Sequence, residues 1–192
     1  MFDSRPEDHG YGSIAFLDGS VLPASERQAI EGPRRRPEPV RPAALTDPAA
    51  RVMTDFTWDP PVTVAADRCI DDALQDMVAA GVRALLVMRG EVVAGLITSY
   101  DIQSERPLQF LSASGFTRHA EIEAGHIMTP WDRVPTVEVP WVTSARVADV
   151  VERLRSVRGS HLLVVVYAEQ GGAFVRGMFS RTQLERQLGR QL

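Results

Sequence analysis

Cysteine is nearly missing: Cys69 is the single one in 192 residues. No intramolecular disulfide can form, and a reducing cytoplasm is the expected location. Long apolar runs are missing as well. Stretches such as LLVVVYA at 162–168 fall far short of the roughly 18–20 residues a membrane helix needs, so no membrane association is expected. Nor is there an excess of positive charge: 21 Lys and Arg stand against 25 Asp and Glu, for a net charge of −4. That balance argues against nucleic acid as a partner. The opening residues, MFDSRPEDHGYG, have no basic stretch leading into an apolar one, so they do not read as a secretory leader.

Signatures of catalysis and of metal binding are missing too. His9, His119, His126 and His161 show no metal-ligand spacing. There is no G-x-S-x-G, no HExxH and no P-loop. GYGSIA at 10–15 matches G-x-G-x-x-A, but it neither follows a strand nor opens a βαβ unit, the context a dinucleotide fingerprint requires. Cys69 reads as a small residue near a helix's apolar face. The chain is therefore expected not to be an enzyme, to hold no metal and to require no cofactor.

What is present is an ordinary globular composition, 44% hydrophobic and 24% charged, enough to build a core. Residues 1–48 read as an arm and linker. SIAFLDGSVLP could form a short strand or hairpin, and GPRRRPEPVRPAALTDP is too rich in proline to hold regular structure. The triple arginine at 34–36 could touch an anionic surface, but it also suits a solvated linker.

From residue 50 onward the chain repeats itself. RVMTDFTWDPPVTV opens one unit and HIMTPWDRVPTVEV opens another. A helix follows in each. In the first, Ile70, Ala73, Leu74, Met77 and Val78 recur at helical spacing, with Asp67 as the expected N-cap and Gly81 as the stop. In the second, Val147, Val150, Val151 and Leu154 do the same, with Thr143 or Ser144 as cap. Next come paired strands, ALLVM with VVAGLIT and LLVVV with FVRGMFS, then a short helix. Two runs joined by a tight turn are antiparallel neighbours, and a short strand at 62–64 can extend the first sheet. This gives an α+β fold of two β-α-β-β-α units, at 49–106 and 124–192, with a connector at 107–123. Units of this size bury too little surface alone, so they should pack through their sheets. Pro107 is expected to break the helix begun at Tyr100, and the connector's Leu108, Phe110, Leu111 and Phe116 must be buried somewhere. Trp58, Trp131 and Trp141 are candidates for core or interface positions.

The doubled pattern resembles the tandem CBS-domain pair, often called a Bateman module. The resemblance rests on Met53-Thr54 and Met128-Thr129-Pro130, on Gly81 before ALLV, and on the Gly-h-h-Thr-x-x-Asp ending at 95–101. It covers about three quarters of the chain. It implies two pseudo-symmetric units with an extended N-terminal arm, inter-unit clefts that take adenosine-type ligands, and a homodimer.

The turn GLITSYDI at 95–102 carries the candidate site. Thr98 and Ser99 offer hydroxyls where a helix begins, and Asp101 offers two oxygens suited to a ribose diol. Thr-x-x-Asp is equally the pattern of a helix N-cap. The resemblance implies phosphate and ribose roles for Thr98 and Asp101, a phosphate contact for Arg83, and backbone contacts to adenine from Thr63 and Val64. The second unit keeps a hydroxyl at Ser180 and an arginine at Arg181 but has Gln183 where Asp101 stands, and His161 is aligned with Arg83. A glutamine lacks the charge that suits a diol, so one competent cleft and one altered cleft are expected. The expected function is a regulatory module that binds AMP, ADP, ATP or another adenosyl compound and passes occupancy to an effector protein. The alternative is a ligand-free module for dimerisation and protein interaction.

Overall fold

The computed structural model describes residues 14–15, 42–116, 118–167 and 173–192. The triple arginine, most of GYGSIA and the expected turn at 170–172 lie outside them. The strands are β1 (Ile14–Ala15), β2 (Thr54–Asp55), β3 (Thr63–Ala65), β4 (Ala84–Arg89), β5 (Val92–Thr98), β6 (Thr129–Pro130), β7 (Thr136–Glu138), β8 (His161–Tyr167) and β9 (Ala173–Ser180). The helices are α1 (Ile70–Ala80), α2 (Ser99–Gln103), α3 (Arg106–Ala113), α4 (Ala124–Ile127), α5 (Val139–Ser144), α6 (Val147–Ser156) and α7 (Arg181–Leu188).

The repeat folds as the periodicity dictates. Ile70, Ala73 and Met77 of α1, and Val147, Val150, Val151 and Leu154 of α6, are fully or almost fully buried. Gly81 ends α1 in the left-handed region at φ 67°, where its N–H closes on the carbonyls of Met77 and Val78. The caps differ from expectation. Cys69, not Asp67, precedes α1, and Arg146, not Thr143 or Ser144, precedes α6. Thr143 and Ser144 end a separate helix, α5, started by Pro140 within its first turn. Val78 is 76% exposed although its spacing places it with the apolar residues; the sheet covers a stripe too narrow to reach it. Pro107 does not break a helix but starts α3, within that helix's first turn.

Two sheets form. One runs β3-β4-β5-β6; the other runs β1-β9-β8-β7, with β2 also on β9. The hairpins β4–β5 and β8–β9 are antiparallel, while β3 and β7 lie parallel to β4 and β8. Between the sheets pack Leu86, Leu96, Leu163, Val175, Phe56 and Val134, so the units meet through their sheets.

The opening segments are exchanged between the units. Thr54 of β2 pairs with Met178 of the second sheet, and Thr129 of β6 pairs with Leu96 of the first. The segments ahead of these strands follow them. Val147 and Ala148 at the start of α6 donate to the carbonyls of Asp47 and Leu45, while Ile70 at the start of α1 donates to Ile122. These bonds satisfy helix N–H groups that have no partner inside the helix. Ala49 and Val52 belong to the second unit's core, and Ile122, Ala124 and Ile127 to the first unit's core. Each unit is thus completed by chain that precedes the other.

Close approach makes the exchange possible. A Cβ at Gly177 would lie 2.4 Å from the Thr54 carbonyl oxygen, and one at Gly95 would lie 2.3 Å from that of Thr129. Backbone cannot retreat as a side chain can. Gly177→Ala is therefore expected to cost about 2–3 kcal/mol in urea unfolding, with faster amide exchange at 54–56. A variant as stable as the wild type, with unchanged exchange there, would show that β2 is not held at this distance.

Candidate functional site

Thr98 closes β5 and caps α2. Its N–H donates to Asp101 Oδ2 at 2.9 Å and its hydroxyl donates to the same oxygen at 2.6 Å. In return, Thr98 Oγ1 accepts from the Asp101 N–H at 3.2 Å. This is a complete capping box. The other carboxylate oxygen, Oδ1, accepts from Arg106 Nη1 at 2.7 Å, and the same nitrogen donates to the Ile127 carbonyl at 3.1 Å. Asp101 is only 8% exposed. Its charge is matched by Arg106, as burial of a carboxylate demands. Arg106 was not among the residues nominated from the sequence; the available signal was an arginine five places beyond a carboxylate, immediately before a proline.

The second unit contributes His161, which is 7% exposed. Its Nδ1 lies 2.9 Å from Ser160 Oγ. The strand registers fix its place in the repeat: His161 pairs with Ser180 as Ala84 pairs with Thr98. Leu86 and Leu163, two residues further along β4 and β8, both pack between the sheets, so the alternation of a strand turns His161 to the same inter-sheet face. Asp101 is close enough to act on its charge. Thr98 and Asp101 of the first unit and His161 of the second are thus candidates for one inter-unit cluster, linked by the effect of the Asp101 charge on the His161 ring.

The alignment of His161 with Arg83 needs correction. Arg83 accepts from Ser99 N through its carbonyl, as Ser160 accepts from Arg181 N. The equivalent of Arg83 is therefore Ser160, and that of His161 is Ala84. Arg83 itself is exposed and joins the site only through this backbone bond. Thr63 pairs with Leu86 and shares its face, whereas the Val64 side chain lies in the first unit's core. Ser99 is half-buried beside Thr98. Ser180 faces His161 across the β8–β9 pair. Arg181 points elsewhere: Nη2 donates to the Leu154 carbonyl at 2.7 Å, near the C-terminus of α6. Gln183 Oε1 accepts from the Thr54 hydroxyl at 2.9 Å.

The remaining nominated side chains serve packing or solvent. Phe110 and Leu111 pack on the first unit's core, while Leu108 and Phe116 stay exposed. Trp131 packs at the inter-sheet layer and Trp141 at the second core, while Trp58 is exposed. A further charge pair, Arg176 with Asp55, joins β9 to the exchanged β2. An open groove of about 440 Å³ runs along α3, lined by Glu105, Leu108, Gln109, Ser112 and Ala113; it includes none of the residues nominated as ligand contacts. Among the described residues no cluster of three His, Cys, Asp or Glu could hold a metal ion, and no helix is long and apolar enough to cross a membrane.

This architecture, two α+β units joined face to face with a polar cluster between them, is that of a CBS-domain pair. Residues 49–107 match the family model of the CBS domain. That match covers the first unit, and the second unit repeats its fold. Among solved structures, an uncharacterised conserved protein from Pyrococcus horikoshii is 21% identical, with 78% of this chain and 97% of that chain covered at a TM-score of 0.53. A CBS-domain protein from Agrobacterium tumefaciens is 18% identical over 71% and 93%, TM-score 0.50. A hemolysin-like protein with a CBS domain from Oenococcus oeni is 21% identical over 75% and 92%, TM-score 0.50. No curated protein matches the chain.

Burial lowers the His161 pKa from 6.5 to about 4, with Asp101 opposing the shift. The unfolded chain takes up this proton near pH 6.5, the folded protein only near pH 4. Stability from this group is therefore full above about pH 6.5 and declines as the pH falls towards 4, by up to about 3 kcal/mol. His161→Gln should flatten that limb in denaturant unfolding between pH 6.5 and 4.5. Parallel pH profiles for variant and wild type would contradict the assignment.

Proposed function

We propose that this protein is a regulatory module, not an enzyme, that binds an adenine nucleotide in the cleft formed by Thr98, Asp101 and His161. The observation that carries this reading is the meeting of a buried carboxylate from one unit with a buried neutral imidazole from the other. A ligand between them touches both units at once, so it can favour one arrangement over another, which is what signalling by occupancy requires. Asp101 supplies the acceptor for a ribose diol: a carboxylate offers about four lone-pair directions, and three donors already use it. His161, neutral at physiological pH, supplies a donor or acceptor without the repulsion or attraction of a fixed charge.

The roles differ from a simple phosphate cradle. Within α2, the Ser99 N–H is spent on the Arg83 carbonyl and the Asp101 N–H on Thr98. The Thr98 hydroxyl is likewise spent on Asp101, so the ligand's phosphate lies against side chains, with the Ser99 hydroxyl the candidate donor. The Gln183 cleft is the weaker one, since its amide is already tied to Thr54. The readout would be an effector protein, and the chain itself a homodimer.

The three bonds that Asp101 already accepts also support the second reading, a ligand-free dimerisation and interaction module. One set of measurements separates them. The full chain should sediment as a dimer, and AMP, ADP or ATP at one hundred times its Kd should add about 2.7 kcal/mol, or roughly 5–10 °C in Tm. Asp101→Asn, which keeps the side chain's size, should remove most of that shift. A dimer with no shift from any of the three nucleotides favours the second reading, and an undiminished shift in the variant removes the ribose role of Asp101.

A further inference from the structure

We propose that Arg106 is a positioning residue that links occupancy at Asp101 to the exchanged segment 124–130. The inference rests on the reading of Asp101 as a ligand acceptor. It starts from a comparison of equivalent positions. Asp101 and Gln183 stand at the same place in the two units, three residues beyond the strand ends Thr98 and Ser180 that pair with Ala84 and His161. Each is tied to the exchanged segment paired with its own sheet, but the ties are built differently. Gln183 accepts directly from Thr54 of β2. Asp101 reaches its segment through Arg106, whose Nη1 donates both to Asp101 and to the Ile127 carbonyl. Ile127 ends α4, two residues before β6.

The two wirings respond differently to a ligand. The Gln183 tie is a single neutral bond between short side chains, and a ligand at Gln183 breaks it or does not bind. The Arg106 tie is adjustable. The guanidinium sits on the first residue of α3 and its side chain is 45% exposed, while Asp101 is enclosed. Water can replace what Arg106 loses more easily than it can replace what Asp101 loses. Ligand hydroxyls that take Oδ1 therefore displace Arg106 rather than the capping bonds from Thr98. Released from Asp101, Arg106 no longer holds Ile127 in place, and both α3 and the α4–β6 segment loosen. Because β6 completes the first sheet by pairing with β5, the event in the cleft is felt at the junction between units.

The test uses the full chain as Arg106→Gln and Arg106→Lys. Without ligand, Arg106→Gln should raise amide exchange at 106–113 and 124–130 and leave β8 unchanged. AMP on the wild type should reproduce that pattern. By calorimetry, Arg106→Gln should bind AMP about two- to fivefold more tightly, because the competitor is gone; Arg106→Lys, which keeps a cationic donor, should lie nearer the wild type in both readouts. Unchanged exchange in Arg106→Gln overturns the link, whatever nucleotides do. Raised exchange with equal or weaker AMP binding overturns its role in carrying occupancy. Raised exchange in a protein that binds none of AMP, ADP or ATP upholds the tie between Asp101 and the exchanged segment, and removes the nucleotide reading instead.

Discussion

The carbonyls of Thr54 and Thr129 reach into the sheets of the opposite units at distances that no side chain at Gly177 or Gly95 would allow. That backbone approach is the constraint on which the molecule depends. It seats β2 beside β9 and β6 beside β5, and it brings along the segments that satisfy the first N–H groups of α6 and α1. Neither unit is complete without chain that leads into the other. The pair is therefore one cooperative object and not two beads on a string, and a change at the junction is shared by both.

The repeat also makes the candidate site asymmetric. It supplies two equivalent positions, one with Thr98, Asp101 and Arg106, the other with Ser180 and Gln183. The strand registers make Ala84 of the first unit the equivalent of His161 of the second. In the proposed reading, one cleft sets the Asp101 carboxylate against the His161 imidazole, and the repeat's symmetry sets the Gln183 amide against the Ala84 methyl group in the other. The second has kept a bond, Thr54 to Gln183, that serves the exchange itself.

Much of this was legible in the sequence because it is local. The buried stripe of α6, the left-handed stop at Gly81 and the two hairpins follow from spacing and glycine placement. The pairing of the units through their sheets followed from their size. The exchange was not legible: β2 and β6 are two residues long, too short for any periodicity, and their partners lie far off in sequence. The register of His161 was misread for a definite reason. The second apolar strand begins with a polar residue, so matching ALLVM to LLVVV by their first apolar residues shifts the alignment by one place, and a shift of one turns a side chain to the other face. Thr98 and Asp101 stand out in the sequence because their pattern is contiguous. That pattern fits a cap and a ligand site alike, and the structure shows the cap. Arg106 escaped notice because its role depends on Ile127, which is near it only after folding.

The central claim is that Thr98, Asp101 and His161 form one ligand site spanning both units. Its most direct test is an NMR titration of the labelled full chain with AMP, following the His161 ring and the backbone amides of both repeats. The account predicts that His161 and residues 98–101 shift together with one saturation curve while 180–183 respond weakly. Shifts centred on 180–183, or shifts at 98–101 that leave the His161 ring untouched, would contradict it.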